Sequence, residues 1–451
     1  MSVDRTAPPA PGLLRAFEFP PSTRARLASG VDLEVVHLPR LPLVTALLVM
    51  RAGEDRLAPD RGGLAVLAGD ALEGGTEALS GHAFAEALEA IGADLDVTTG
   101  WDATTIALSC LADRLPRALE LLASLVRIPA FPEEEVARVR DGQLARIRQN
   151  EMDPARLAES WAARTLYAAG EPYARAALGD ADEVAGFGRE AVAGFAAAFH
   201  RPAGAALVVA GDVDPGEVAA LADRAMEGWS GGAGVSASPC GAAAASERRT
   251  VVVDRPGAVQ SEIRIGHTGA PRATPDRAEL VVGNAVLGGT FSSRLNLNLR
   301  ERNGFTYGVR ARWGWRRGPG PFLVGTAVDT GVTAAAIEEI VSEIEQIHSE
   351  GPREEEIEQA RDYLAGVFPL RLESTGQVAA HVAQQHLHGL PRDEWSGYRD
   401  RVRAVTAQAA HAALRRWIRP EALQFVVVGD ADHLAEALAL RDLGSIEVVR
   451  G

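Results

Sequence analysis

The chain repeats itself. Pro59-Asp60-Arg61 recurs as Pro275-Asp276-Arg277, 216 positions on, and the Thr76 closing LEGGT recurs as the Thr290 closing LGGT, 214 on. FPEEEVARVR with Pro132 returns as GPREEEIEQAR with Pro352, 220 positions on. Arg201-Pro202 and Gly211-Asp212 return as Arg419-Pro420 and Gly429-Asp430, both 218 on. Landmarks this regular are not coincidence, and the spacing is far longer than a solenoid unit of roughly 20–50 residues. At 451 residues the chain also exceeds what one hydrophobic core serves. Two copies of one domain are therefore expected.

The expected layout is a flexible, proline-rich N-terminal arm over 1–19, a first domain over 20–229, a linker over 230–249 and a second domain over 250–451. The linker reading rests on SGGAGVSASPCGAAAASERR, small residues without periodicity. Within each copy, strand-like runs such as VDLEVVHL and ATTIALSCL alternate with helical stretches such as VTAAAIEEIVSEIEQIHSEG, which Gly351 and Pro352 end. Without a strict βαβ rhythm, this predicts α+β domains, helices packed on one face of an antiparallel or mixed sheet.

A net charge of −15, with no basic face, excludes nucleic acid as the expected partner. Cys110 and Cys240 form no CxxC pair and no metal framework. No apolar run reaches the roughly 18–20 residues of a membrane span. The N-terminal stretch has no basic segment followed by an apolar core. A cytoplasmic protein is the resulting expectation. His381, His386 and His388 in HVAQQHLHGL lack the i, i+4 spacing that puts two ligands on one helical face.

Two segments carry a resemblance. GLAVLAGDALEGGT, residues 63–76, resembles the GLAHxLEHxLFxGT segment of the pitrilysin/insulinase zinc peptidases, family M16, in which an inverted HxxEH helix supplies two histidine ligands and a glutamate base. Val66 stands at the first His position, Gly69 at the Glu position and Asp70 at the second His position. The third ligand position, in RIRQNEMDP, holds Arg146. Valine and arginine do not ligate zinc, which takes imidazole, thiolate or carboxylate. No metal site and no cofactor are expected in this chain.

The second segment, NAVLGGTFSSRLNLNLRERNGFTYGV (284–309), resembles the family's LGG…SRL…LRExxGLxYxV stretch. By that resemblance Arg300 and Tyr307 correspond to the arginine and tyrosine that bind and polarise the substrate. From the residues alone, FSSRLNLNLRERN reads as a helix from Ser292–Ser293 ending before a left-handed Gly304, followed by a strand FTYGVRARW. Arg300 and Tyr307 would then point into one inter-domain cleft, two donors able to stabilise an oxyanion. Dipole-favoured arginine and a sheet-packed tyrosine are the plainer reading of the same residues. Gly288 and Gly289, with Phe291 and Ser292 beyond them, are substrate-binding candidates; the glycines read equally well as a turn before a helix.

The resemblance implies two homologous α+β domains and three functional alternatives. The first is the non-zinc subunit of a heterodimeric peptidase, as in mitochondrial processing peptidase, acting on a peptide at the zinc of an HxxEH-bearing homologue. The second is a structural protein like the core subunits of the bc1 complex. The third is a module that binds extended peptides.

Overall fold

The computed structural model describes residues 16–231 and 240–450. Most of the expected arm and the middle of the expected linker, 232–239, lie outside the described residues. Two six-stranded mixed sheets form the frame. The first comprises β1 (Ser22–Arg26), β2 (Asp32–His37), β3 (Leu43–Met50), β4 (Asp94–Thr99), β5 (Thr104–Leu111) and β6 (Ala206–Gly211), in the order β1-β2-β6-β3-β5-β4. The second comprises β7 (Arg249–Asp254), β8 (Gln260–Thr268), β9 (Val309–Trp313), β10 (Pro321–Asp329), β11 (Gln424–Gly429) and β12 (Ser445–Val449), in the order β12-β7-β11-β8-β10-β9.

The inner five strands of the two sheets have the same topology. β2 pairs in parallel with β6, as β7 does with β11, and the remaining pairs inside each set of five are antiparallel. The copies differ at one edge: β1 joins β2 antiparallel, whereas β12 joins β7 in parallel. Both domains are thus α+β units of one design.

Four helices position the site: α1 (Leu64–Asp70), α2 (Glu133–Met152), α3 (Pro154–Leu166) and α4 (Thr375–His388). Asp153 caps α3 by accepting from the amides of Ala155 and Arg156, and Ser374 forms a capping box with Gln377 at the start of α4. These two helices are exchanged between the halves. α3 lies on β8 and β11, and α4 lies on β3 and β6.

Strand periodicity explains how the sheets accept a foreign helix. On β6, Leu207 and Val209 turn to their own half's helices, while Ala206, Val208 and Ala210 pack with Val378, Ala379 and Val382 of α4. On β11, Phe425 and Val427 face their own helices, while Val426 and Val428 pack with Ala158 and Ala162 of α3. Buried on both faces, β6 and β11 read as unbroken apolar runs. Polar contacts pin each exchange: Thr45 to Thr375 at 2.8 Å, Glu34 to His386 at 2.6 Å, and Arg264 to Glu159 at 2.8 Å.

Two expectations need correcting at the segment ends. Phe17 and Phe19, inside the expected loose arm, pack on the second-half core, with the Phe17 ring edge-on to Phe368 at 6.0 Å. The end of the expected linker is also anchored. The Ala168 amide donates to Ala242, the Ala244 amide to Leu166, and the Gly241 amide to the Glu171 carboxylate, while Arg249 already belongs to β7.

Candidate functional site

The zinc-motif segment folds as a helix despite its substitutions. Gly63 takes the left-handed φ of +84° that turns the chain into α1. The buried Glu54 carboxylate accepts from the amides of Gly63, Ala65 and Val66 at 3.0, 3.0 and 3.2 Å, supplying acceptors for the free donors of the helix start. Burial pushes the Glu54 pKa up to about 7, against those donors and the nearby Arg175. Gln143 of α2 donates to the carbonyls of Gly63 and Leu178 at 2.9 and 2.8 Å and holds α2 against α1.

The four motif positions are therefore in place, with other chemistry. Val66 is buried hydrocarbon. Gly69 sits against Thr99: a β-carbon there would come within 2.1 Å of Thr99 Oγ1. Asp70 and Arg146, 76 residues apart, form an ion pair of 2.5 Å across α1 and α2. Zinc needs three or four donors of the imidazole, thiolate or carboxylate kind. This set offers one carboxylate, and a guanidinium occupies it, so the residues do not fit the metal. Among the described residues no group of three or more His, Cys, Asp or Glu is arranged to hold one.

The Arg/Tyr segment is built differently from the expected single helix. After the helix Arg277–Asn284 the chain widens into π-type turns over Ala285–Gly289; a short α-helix, Arg294–Asn296, then leads into further π-type turns over Leu297–Arg302. Gly304 ends it with φ +65°, as expected, and the Phe305 amide closes the turn on the Leu299 carbonyl at 2.8 Å. Arg300 stands on the last wide turn, its guanidinium 4.2 Å from the Phe291 ring centroid and Nε 3.5 Å from Glu301.

Tyr307 is not on a strand: β9 begins only at Val309. It projects from the preceding loop and is 97% exposed. The loop itself is fixed. Asn296 donates to the carbonyls of Thr290 and Val309 at 3.1 and 3.0 Å and accepts from the Val309 amide at 3.1 Å. Thr306 donates to the Ala327 carbonyl at 2.8 Å, and Thr326 donates to Thr306 at 2.9 Å. Arg294 grips Glu356 with two bonds of 2.8 and 2.7 Å, holding the turns on the helix Glu354–Val367.

The remaining candidates separate. Gly288 is buried, and a β-carbon on it would lie 2.7 Å from the Ala311 β-carbon; at Gly289 it would lie 2.9 Å from Asn284 Nδ2. Packing accounts for both glycines, and Gly288 is buried. Phe291, 71% exposed, and Ser292 are on the surface. The expectation that Arg300 and Tyr307 face an inter-domain cavity is also corrected. The cavity of about 1360 Å³ between the halves is lined by α2, α3, Trp101, Arg316 and neighbours, with neither residue among them. Tyr307 is exposed and Arg300 half-exposed on the second half.

Two domains of one α+β design, one holding an inverted metal-site helix and the other a surface Arg/Tyr pair, define a class of zinc-peptidase-like proteins. A family profile described as Insulinase (Peptidase family M16) matches residues 35–177, and one described as Peptidase M16 inactive domain matches 186–364. The chain belongs to peptidase family M16. It is 24% identical to an uncharacterized zinc protease of Streptomyces coelicolor over 81% of this chain and 80% of that one. To the non-peptidase homolog YmxG of Helicobacter pylori it is 25% identical over 78% and 81%. Among solved structures, a peptidase M16 inactive domain from Pseudomonas fluorescens superposes with a TM-score of 0.85 at 23% identity, covering 91% of this chain and 98% of that one. Relatives are thus named both as zinc proteases and as a non-peptidase homolog, while the motif positions of this chain do not fit the metal. Among the described residues no helix is long and apolar enough to cross a membrane.

Asn296, Thr306 and Thr326 escaped the sequence reading. Their only signal was polarity: an asparagine inside an apolar helix run and threonines flanking the Tyr307 turn.

Proposed function

We propose that this chain is the non-zinc subunit of a heterodimeric M16 peptidase, lending Arg300 and Tyr307 to peptide hydrolysis at the site of an HxxEH-bearing homologue. The observation that carries this reading is Tyr307. A tyrosine held 97% exposed on a loop anchored by Asn296 and Thr306 does nothing for its own core. Its hydroxyl is free to donate to a ligand outside the chain, and Arg300 is half-exposed on the same segment. The bound metal of the partner would supply the activated water. This chain's part is to hold the peptide carbonyl by two donors and to stabilise the negative charge that develops on its oxygen. Arg300 lies over the Phe291 ring, a cation–π contact worth ~0.5–1 kcal/mol at an exposed site, so its fork is partly ordered before the substrate arrives.

The experiment is reconstitution. The chain and an HxxEH-bearing homologue from the same genome are purified separately, mixed, and assayed for complex formation and peptide cleavage. Cleavage by the mixture and by neither subunit alone supports the reading. Failure of the two to associate, or full activity of the homologue by itself, overturns it.

A second reading, a catalytically inactive structural or peptide-binding homologue, is favoured by the likeness to a relative named a non-peptidase homolog. A complex that assembles but cleaves nothing would select it.

A further inference from the structure

In the wall of the cavity between the halves a guanidinium makes no ion pair among the described residues. Arg316, on the loop between β9 and β10, lies over three rings: Trp101, Tyr173 and Tyr167, at 4.4, 4.3 and 5.6 Å from their centroids. Its Nη1 is sealed from solvent and has no hydrogen-bond partner. The neighbouring Asp102 is already engaged, accepting from the Tyr173 hydroxyl at 3.0 Å and from the Arg317 amide at 3.1 Å. A guanidinium nitrogen stripped of water and left without an acceptor is costly, and the half-buried remainder of the group lines the cavity.

The cavity wall beside Arg316 has the same imbalance. Arg148 and Arg156, from α2 and α3, line it and make no ion pair among the described residues. Of the carboxylates in the wall, Glu159 is taken by Arg264 and Arg312, Asp180 by Arg164 and Asp254 by Arg450, which leaves Glu151 as the one without an ion pair among the described residues, against the arginines Arg148, Arg156 and Arg316. Asp254 accepts from the Ala431 amide. The local excess is positive in a chain whose net charge is −15. Trp161 and Leu157 add an apolar surface to the same wall.

We infer that this cavity binds a carboxylate attached to an apolar or aromatic body, with Arg316, Arg148 and Arg156 receiving the carboxylate and Trp101, Trp161 and Leu157 the body. A planar guanidinium pairs with a carboxylate through two parallel N–H···O bonds, which gives geometry as well as charge. Such a group could be the C-terminus of a peptide or a free carboxylic acid. The site is separate from Arg300 and Tyr307 and does not depend on any partner subunit.

The test uses the full chain, with binding followed by calorimetry and by the fluorescence of the cavity tryptophans. The probes are a hexapeptide ending in phenylalanine with a free C-terminus, the same peptide amidated, N-acetylphenylalanine, and inorganic phosphate. The expected result is binding of a free-carboxylate probe at least ~10-fold tighter than its amide, the loss of one charge-assisted pair. Preference for the hexapeptide identifies a peptide C-terminus, and preference for N-acetylphenylalanine identifies a small acid. Arg316→Gln should abolish that preference. Because this substitution also removes ring contacts, Arg148→Gln and Arg156→Gln, on exposed residues, serve as the second arm and should each weaken the carboxylate probe without lowering Tm. Equal binding of acid and amide, tighter binding of phosphate, no binding of any probe, or indifference to all three substitutions overturns the assignment.

Discussion

Asp70 and Arg146 form an ion pair of 2.5 Å between α1 and α2, at two of the positions where the family's zinc peptidases place metal ligands. A cation is still present at the place, covalently attached to the chain. The pair is partly exposed, so its worth to stability is small, about 0–1 kcal/mol.

Rebuilding the site tests how far the scaffold has drifted. The triple variant Val66→His, Asp70→His, Arg146→Glu should take up zinc, because the helices that carry those positions remain in register. It should cleave no peptide, because Gly69 leaves the base position empty. Adding Gly69→Glu should lower Tm, since its β-carbon meets Thr99 Oγ1 at 2.1 Å; Thr99→Ala should restore it. Metal analysis and thermal melts check both, and zinc at one equivalent in the unaltered chain would contradict the reading of this site.

In the reconstituted complex, Arg300→Ala or Tyr307→Phe should lower turnover by about 10²–10³, the typical loss for one oxyanion donor. Tm should not move, because both side chains stand at the surface. Arg300→Lys should recover little, a point charge being a poor substitute for the planar fork. Turnover unchanged in all three variants would remove the catalytic role.

Asn296→Ala makes a different prediction. It strands the Val309 amide and two carbonyls that the side chain now satisfies, at a cost of about 1–3 kcal/mol. The tyrosine loop would also lose its register with the π-type turns. Urea unfolding should show the destabilisation, and the turnover of the complex at permissive temperature should fall even where the chain remains folded.

His200 is buried beside Phe195, and neither ring nitrogen has a partner. Burial lowers its pKa from 6.5 to about 4. Between those values the unfolded chain takes a proton that the folded chain refuses. Its contribution is therefore complete above pH 6.5 and is lost as the pH falls towards 4, by roughly 3 kcal/mol in all. His200→Phe should flatten that part of the pH dependence. Urea titrations of both proteins at pH 7 and pH 5 measure the difference, and an equal loss in both would show that His200 is not responsible.

The duplication was legible because backbone demands repeat with it: the proline and glycine landmarks recur where the strand order recurs, β2-β6-β3-β5-β4 against β7-β11-β8-β10-β9. The loss of ligand chemistry at the motif positions was legible residue by residue, since a ligand's chemistry is a property of its side chain. What stayed hidden depended on distant partners. The apolar runs of β6 and β11 announced burial on both faces but not which half supplies the cover. The helical period around Leu297 carried no sign of the wider turns that Asn296 and Asn298 support through Val309, Glu339 and Glu343. Phe305 and Thr306 flank Tyr307 like strand residues, yet the chain pairs only from Val309.

The exchange of α3 and α4 settles how this chain can deform. Each sheet is roofed by a beam anchored in the opposite half, tied at Thr45 to Thr375 and at Arg264 to Glu159. Swinging the halves apart would lift both beams at once and wet Val208 and Val426 together. Opening the halves along the midline would therefore expose apolar surface of both sheets together, an unfavourable change.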